Sequence, residues 1–166
     1  MKKVLLTAVM TVALASGLKA SDYKAASSQA RQSLKELESS VSVTASSAVT
    51  VTAQYKALAE IATTEENKAW ALNNAGYANI VLFKKLVNYD AANTAINALN
   101  PKSKERTAAV KALQSEYIKY KNLLEEISLD DAIRISQNLG NKRQWNALVS
   151  NRQFVTDSLI FIDEKF

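Results

Sequence analysis

The chain has 166 residues, with 21 Lys and Arg against 16 Asp and Glu, and neither histidine nor cysteine. Those two absences exclude cysteine nucleophiles, Ser-His-Asp triads, imidazole acid–base chemistry, disulfides and the usual zinc sites. Lys2, Lys3 and Lys19 belong to the start of the chain; without them 18 basic residues face 16 acidic ones, too even a balance for a nucleic-acid-binding face.

Met1-Lys2-Lys3 is a short basic start, and Val4 to Ala15 is an apolar run broken only by Thr7 and Thr11. Small and polar residues follow, and Ser21-Asp22 opens a more polar sequence. This order is that of a secretory signal peptide, 1–20, with cleavage expected after Ala20 and Leu18 at the −3 position. Cleavage after Ala15 is the alternative. The apolar run is shorter than the roughly 20 residues a bilayer span needs. No cysteine follows it to carry a lipid. The expected location is periplasmic or secreted, and 21–166 is expected to be one domain.

That remainder holds only two glycines, Gly76 and Gly140, and one proline, Pro101. A sheet protein needs more turn residues, so the expected class is all-α. Leu34, Leu37, Val41, Thr44, Ala48, Val51, Tyr55 and Leu58 alternate at spacings of three and four. They predict one long heptad helix within 21–62, of coiled-coil type. The same stretch offers a β-hairpin, because 40–44 and 48–52 also alternate with β-branched residues; a helix broken near Ser46-Ser47 is a third form.

Thr63 with Glu66 predicts a capping box that opens a helix over 65–87. Asn88 predicts a cap for a short helix, 89–99, ending before Pro101. Ser103 predicts a cap for 104–127, and Ser128 with Asp131 another capping box for a short helix ending at Leu139-Gly140. Asn141 predicts the cap of a last helix, 142–163. Long and short helices recur at a period of 40: Ala69, Tyr77, Phe83 and Val87 fall on Ala109, Tyr117, Leu123 and Ile127. The expectation is therefore two helical hairpins over 63–140 and a capping helix over 141–166, as stacked antiparallel hairpins or an elongated bundle.

Ala71-Leu72-Asn73-Asn74-Ala75-Gly76-Tyr77, Asn88-Tyr89-Asp90-Ala91-Ala92 and Ala98-Leu99-Asn100-Pro101 together resemble a tetratricopeptide repeat. The second copy, 104–140, matches through Asp131-Ala132-Ile133. The resemblance implies helical hairpins that bind protein, with Gly76 letting two helices approach closely. It transfers no site residue, because the family's peptide-clamping positions have no counterparts here.

Glu125, Glu126, Asp130 and Asp131 could hold a hard cation, or simply border a helix start with Lys121 paired to Glu125. Lys102, Lys104 and Arg106, with Lys84-Lys85 and Lys119/Lys121, could attract an acidic partner or anionic lipid, or form solvated faces. Trp70, Tyr77, Tyr117, Tyr120 and Trp145 are core residues or groove anchors. Asn73 and Asn74 sit mid-helix, where a peptide-binding groove would use their amides. The protein-binding candidates are thus Asn73, Asn74, Tyr77, Tyr117 and Tyr120. No catalytic residue, metal or cofactor is indicated.

The expected function is a non-catalytic protein-interaction module in the cell envelope. The alternative is a bundle that self-associates through its first helix, with a structural or apolar-ligand-binding role. Neither nucleic acid nor membrane is an expected partner.

Overall fold

The computed structural model describes residues 20–41, 43–86 and 88–166. Residues 1–19, which carry the signal-peptide expectation, lie outside the described residues. Seven helices and no strand occur among them: α1 (Ala20–Ser39), α2 (Ala45–Glu60), α3 (Glu65–Leu86), α4 (Tyr89–Asn97), α5 (Lys104–Glu125), α6 (Asp130–Asn138) and α7 (Lys142–Lys165). The all-α class expected from the scarcity of Gly and Pro is what forms.

The long heptad helix does not. It is two helices, parted at 40–44 rather than at Ser46-Ser47, and the β-hairpin alternative is absent too. The break has a clear local cause. The Thr44 hydroxyl accepts from the Ser47 backbone N–H and the Ser47 hydroxyl from that of Thr44, each at 3.1 Å, a reciprocal capping box that starts a new helix. Across the break, Lys85 Nζ donates to the backbone carbonyls of Glu38 and of Ser40, so a cation closes the C-terminal end of α1. The seam slips in phase there: Val41 is 103% exposed, while Val43 is 3% exposed. The remaining apolar seam residues, from Leu34 to Leu58, are buried in the chain's own core.

Other caps fall where the residues place them. Asn88, Ser103 and Asn141 each accept from a backbone N–H three residues on. The two expected capping boxes are not made. Thr64, not Thr63, caps α3, accepting from the Asn67 N–H at 3.1 Å. Leu129, not Ser128, precedes α6 and makes no side-chain cap; Leu129 is instead buried in the core. Gly140, at φ 65°, ends α6 in a Schellman turn, with Gly140 N–H bonded to the Gln137 carbonyl and Asn141 N–H to that of Ser136.

α3 is the centre. It packs against α1, α2, α5, α6 and α7, and every residue from Ala78 to Leu82 is buried. Its alanines let neighbours approach on all sides. The hairpins expected from the 40-residue period are not the pairs that pack. α3 pairs most closely with α2, and α4 runs along α5, with Tyr89 at its start touching Phe161 of α7. The bundle is the arrangement realised, because the middle of α3 is buried on all sides and so needs several neighbours, not one. Gly76 does serve close approach, but to the α5–α6 connection: a Cβ there would lie 2.8 Å from Ile127 Cγ2 and 3.3 Å from Leu129 Cδ2. α4 buries only Ile96, and 104–116 of α5 has no buried residue, so these segments form an arm beside the bundle.

Candidate aromatic binding site

The two ends of α3 are built from different side chains. Near its start, Gln144 of α7 is fully buried. Its Nε2 donates to the Glu66 carbonyl at 2.9 Å and its Oε1 accepts from the Ser136 hydroxyl at 2.8 Å. Asn141 Nδ2 donates to the Glu66 carboxylate at 2.8 Å. Further along, Asn151 Nδ2 donates to Asn73 Oδ1 at 2.9 Å, and Asn73 Nδ2 to Asn74 Oδ1 at 3.3 Å. In the middle, the Thr52 hydroxyl bonds the Ala75 carbonyl and Asn79 Oδ1, and Asn79 Nδ2 reaches the Leu123 carbonyl. Asn73 is therefore a buried crosslink between α3 and α7 rather than a groove amide, and Asn74 is half-buried beside it.

The far end of α3 is aromatic. Phe83, Tyr89, Tyr117, Tyr120, Phe154, Phe161 and Phe166 form one connected set of ring contacts, mostly edge-to-face, with centroids 4.8 to 6.3 Å apart. All four phenylalanines of the chain are in it. The helical repeat explains the assembly: Phe154, Asp157, Ser158 and Phe161 share one face of α7. The Asn88 cap starts α4 immediately after α3, which brings Tyr89 and Asp90 to the same place.

Between these elements lies an open cavity of about 550 Å³. Phe83, Tyr89, Tyr117, Phe154 and Phe161 wall it, and Lys84, Lys85, Asn88, Asp90, Asp157 and Ser158 complete its lining. That volume lies in the range of small-molecule and side-chain sites. Tyr117 is 1% exposed, and among the described residues its hydroxyl has no hydrogen-bond partner. Burial pushes its pKa up to about 12, with the Glu116 carboxylate, Tyr89 and Asp90 adding to the effect. Tyr120 donates to Glu116 Oε1 at 2.7 Å, and burial, followed by that bond, raises its pKa further.

Of the five candidates read from the sequence, Tyr117 is in the cavity wall. Tyr120 stands behind it in the core, and Tyr77 is half-buried and packs against the same cluster. Asn73 and Asn74 are not part of this site. Phe154, Phe161 and Asp157 were not singled out by sequence, and Tyr89 and Asp90 entered only through the tetratricopeptide likeness. The spacing of seven between Phe154 and Phe161 was their available signal, but it equally fits a plain core stripe.

The acidic cluster is mostly spoken for by basic neighbours. Lys121 pairs with Glu125 at 3.7 Å and with Asp163 at 2.6 Å, Arg152 with Asp130 at 3.4 Å and Arg134 with Asp131 at 3.0 Å. Of the basic groups, Lys85 closes α1 and Arg106 Nη2 donates to Asn97 Oδ1 at 3.2 Å. Trp145 is partly exposed on α7. Among the described residues no helix is long and apolar enough to cross a membrane. No family model, curated protein or solved structure matches the chain.

Proposed function

We propose that this chain is an exported, non-catalytic binding module, working in the periplasm, whose site is the aromatic cavity between α3, α4, α5 and α7. Its partner would be a protein or peptide of the cell envelope, engaged by insertion of a group into the cavity. The observation that carries this reading is the open, five-ring wall itself. A bundle needs its aromatic residues for packing, but here five of them also border an open cavity of about 550 Å³. The likeness of 71–101 to a tetratricopeptide repeat, a protein-binding architecture, points the same way. Self-association along the first helix is the weaker reading, since Leu34, Leu37, Val51 and Leu58 are buried within the chain's own core.

The test is expression of the full chain in a Gram-negative host, crosslinking of intact cells and antibody capture. The expected result is a chain of 21–166 by mass, crosslinked to one recurrent envelope protein. Recovery should fall for a Lys84→Glu/Asp157→Lys variant that still folds, because both side chains line the cavity. A chain that keeps residues 1–20 would refute export. Recovery of the chain crosslinked only to itself would favour the self-associating bundle.

A further inference from the structure

We infer that the cavity selects an organic cation: an ammonium or guanidinium group on an apolar frame, free or at the end of a partner's side chain. The inference rests on the reading of this cavity as the binding site. Two observations carry it. First, the walls are ring faces and edges, and a cation over a ring face is held by the ring's quadrupole. The cluster already attracts the chain's own cations: Lys84 Nζ lies 4.6 Å from the Phe154 centroid, and Lys165 Nζ lies 5.9 Å from those of Tyr89 and Phe161.

Second, the lining holds two lysines and two aspartates, and among the described residues it is the carboxylates that lack a local partner of opposite charge. Lys84 and Lys85 line it, but Lys84 sits on Phe154 and Lys85 is engaged by carbonyl oxygens at the end of α1. Asp157 accepts only from the neutral Gln153 amide, at 2.7 Å, and Asp90 lies in the first turn of α4. Among the described residues neither carboxylate has an ion-pair partner.

An anion would meet Asp90 and Asp157, and would have to draw Lys84 from Phe154 and Lys85 from the carbonyls at the end of α1. A neutral apolar ligand would leave both carboxylates unused. The chemistry of the lining therefore favours a cation over either.

The experiment is NMR titration of the full chain with benzyltrimethylammonium and with neopentylbenzene, its neutral isostere. Ring resonances of Phe154 and Phe161 give the readout. The cation is expected to bind at least several-fold more tightly. Asp157→Asn and Asp90→Asn should each weaken it by about two- to five-fold, the range of a partly exposed charge pair. Lys84→Ala should tighten it, because the cation competing for Phe154 is gone; a purely structural role for Lys84 would not produce that sign. If a lysine capped at both termini displaces the probe, the natural source is a side chain, and if it does not, a free amine; the cation assignment holds in either case. Equal binding of probe and isostere would overturn cation selection and leave an apolar binding site. Absence of shifts with both would overturn the site itself.

Discussion

α3 is gripped at its start by amides and at its end by rings, and the two grips do different work. Hydrogen bonds through Gln144, Ser136, Asn141 and Glu66 are directional, so they fix the register of α3, α6 and α7. Edge-to-face ring contacts around Tyr117 tolerate small displacements and leave a cavity among them. One end sets the fold; the other, held rigid from a distance, is free to receive something. Such a division matches how binding sites are built on a scaffold whose own positions are locked.

The largest effect expected from breaking this comparison is at the aromatic end. Tyr117→Ala removes the ring that touches Tyr89, Tyr120, Phe161 and Phe166. It should cost about 3–5 kcal/mol in urea unfolding, as large aromatic truncations do. A loss below about 1 kcal/mol would mean that this end contributes little packing beyond the cavity wall.

Gln144→Ala should cost somewhat less, roughly 2–4 kcal/mol, by combining a small void with an orphaned Ser136 hydroxyl. The same variant should leave the response of Phe154 and Phe161 to the cationic probe nearly unchanged under conditions where it is folded. If it abolished that response, the two ends would be one coupled unit. Gly76→Ala, between the ends, is expected to lose about 1–2 kcal/mol net, because overpacking against Ile127 exceeds the gain in helix propensity. Thermal unfolding of this variant would check the close approach directly.

The outline of the aromatic and polar ends was unevenly legible. Helix class, the Asn88, Ser103 and Asn141 caps and the Gly140 turn follow from residue chemistry acting within one turn. The break at 40–44 was not visible, because Val41 and Thr44 continue the apolar seam while Thr44 and Ser47 cap a new helix. Periodicity and capping gave conflicting signals, and the side-chain hydrogen bonds won. The pairing of α3 with α2 rather than α4 was invisible for a different reason: a helix buried on all sides along its middle has no single stripe to say which neighbour lies on which side. The cavity is a property of four helices at once, so the one-face spacing of Phe154 and Phe161 gave half of it and Tyr89 none.

The smallest effect is also the most discriminating, since it separates stability from binding at a single atom. Tyr117→Phe deletes a buried hydroxyl that has no partner among the described residues. An unpaired buried polar group costs free energy, so the variant should be as stable as the parent or more stable, by about 1 kcal/mol. It should also blunt the alkaline response. The folded chain holds the Tyr117 proton up to about 12, against an ordinary value of 10.0. The unfolded chain releases that proton first as pH rises above 10.0, so the stability tied to this group is intact below 10.0 and declines toward 12. Urea midpoints measured from neutral pH upward should therefore fall less steeply for Tyr117→Phe than for the parent. The hydroxyl is buried and a trimethylammonium has no N–H to donate to it, so the same substitution should leave benzyltrimethylammonium binding nearly unchanged while raising stability. A variant that loses stability would instead make the hydroxyl a packing group, and the aromatic end would then differ from the polar end only in composition.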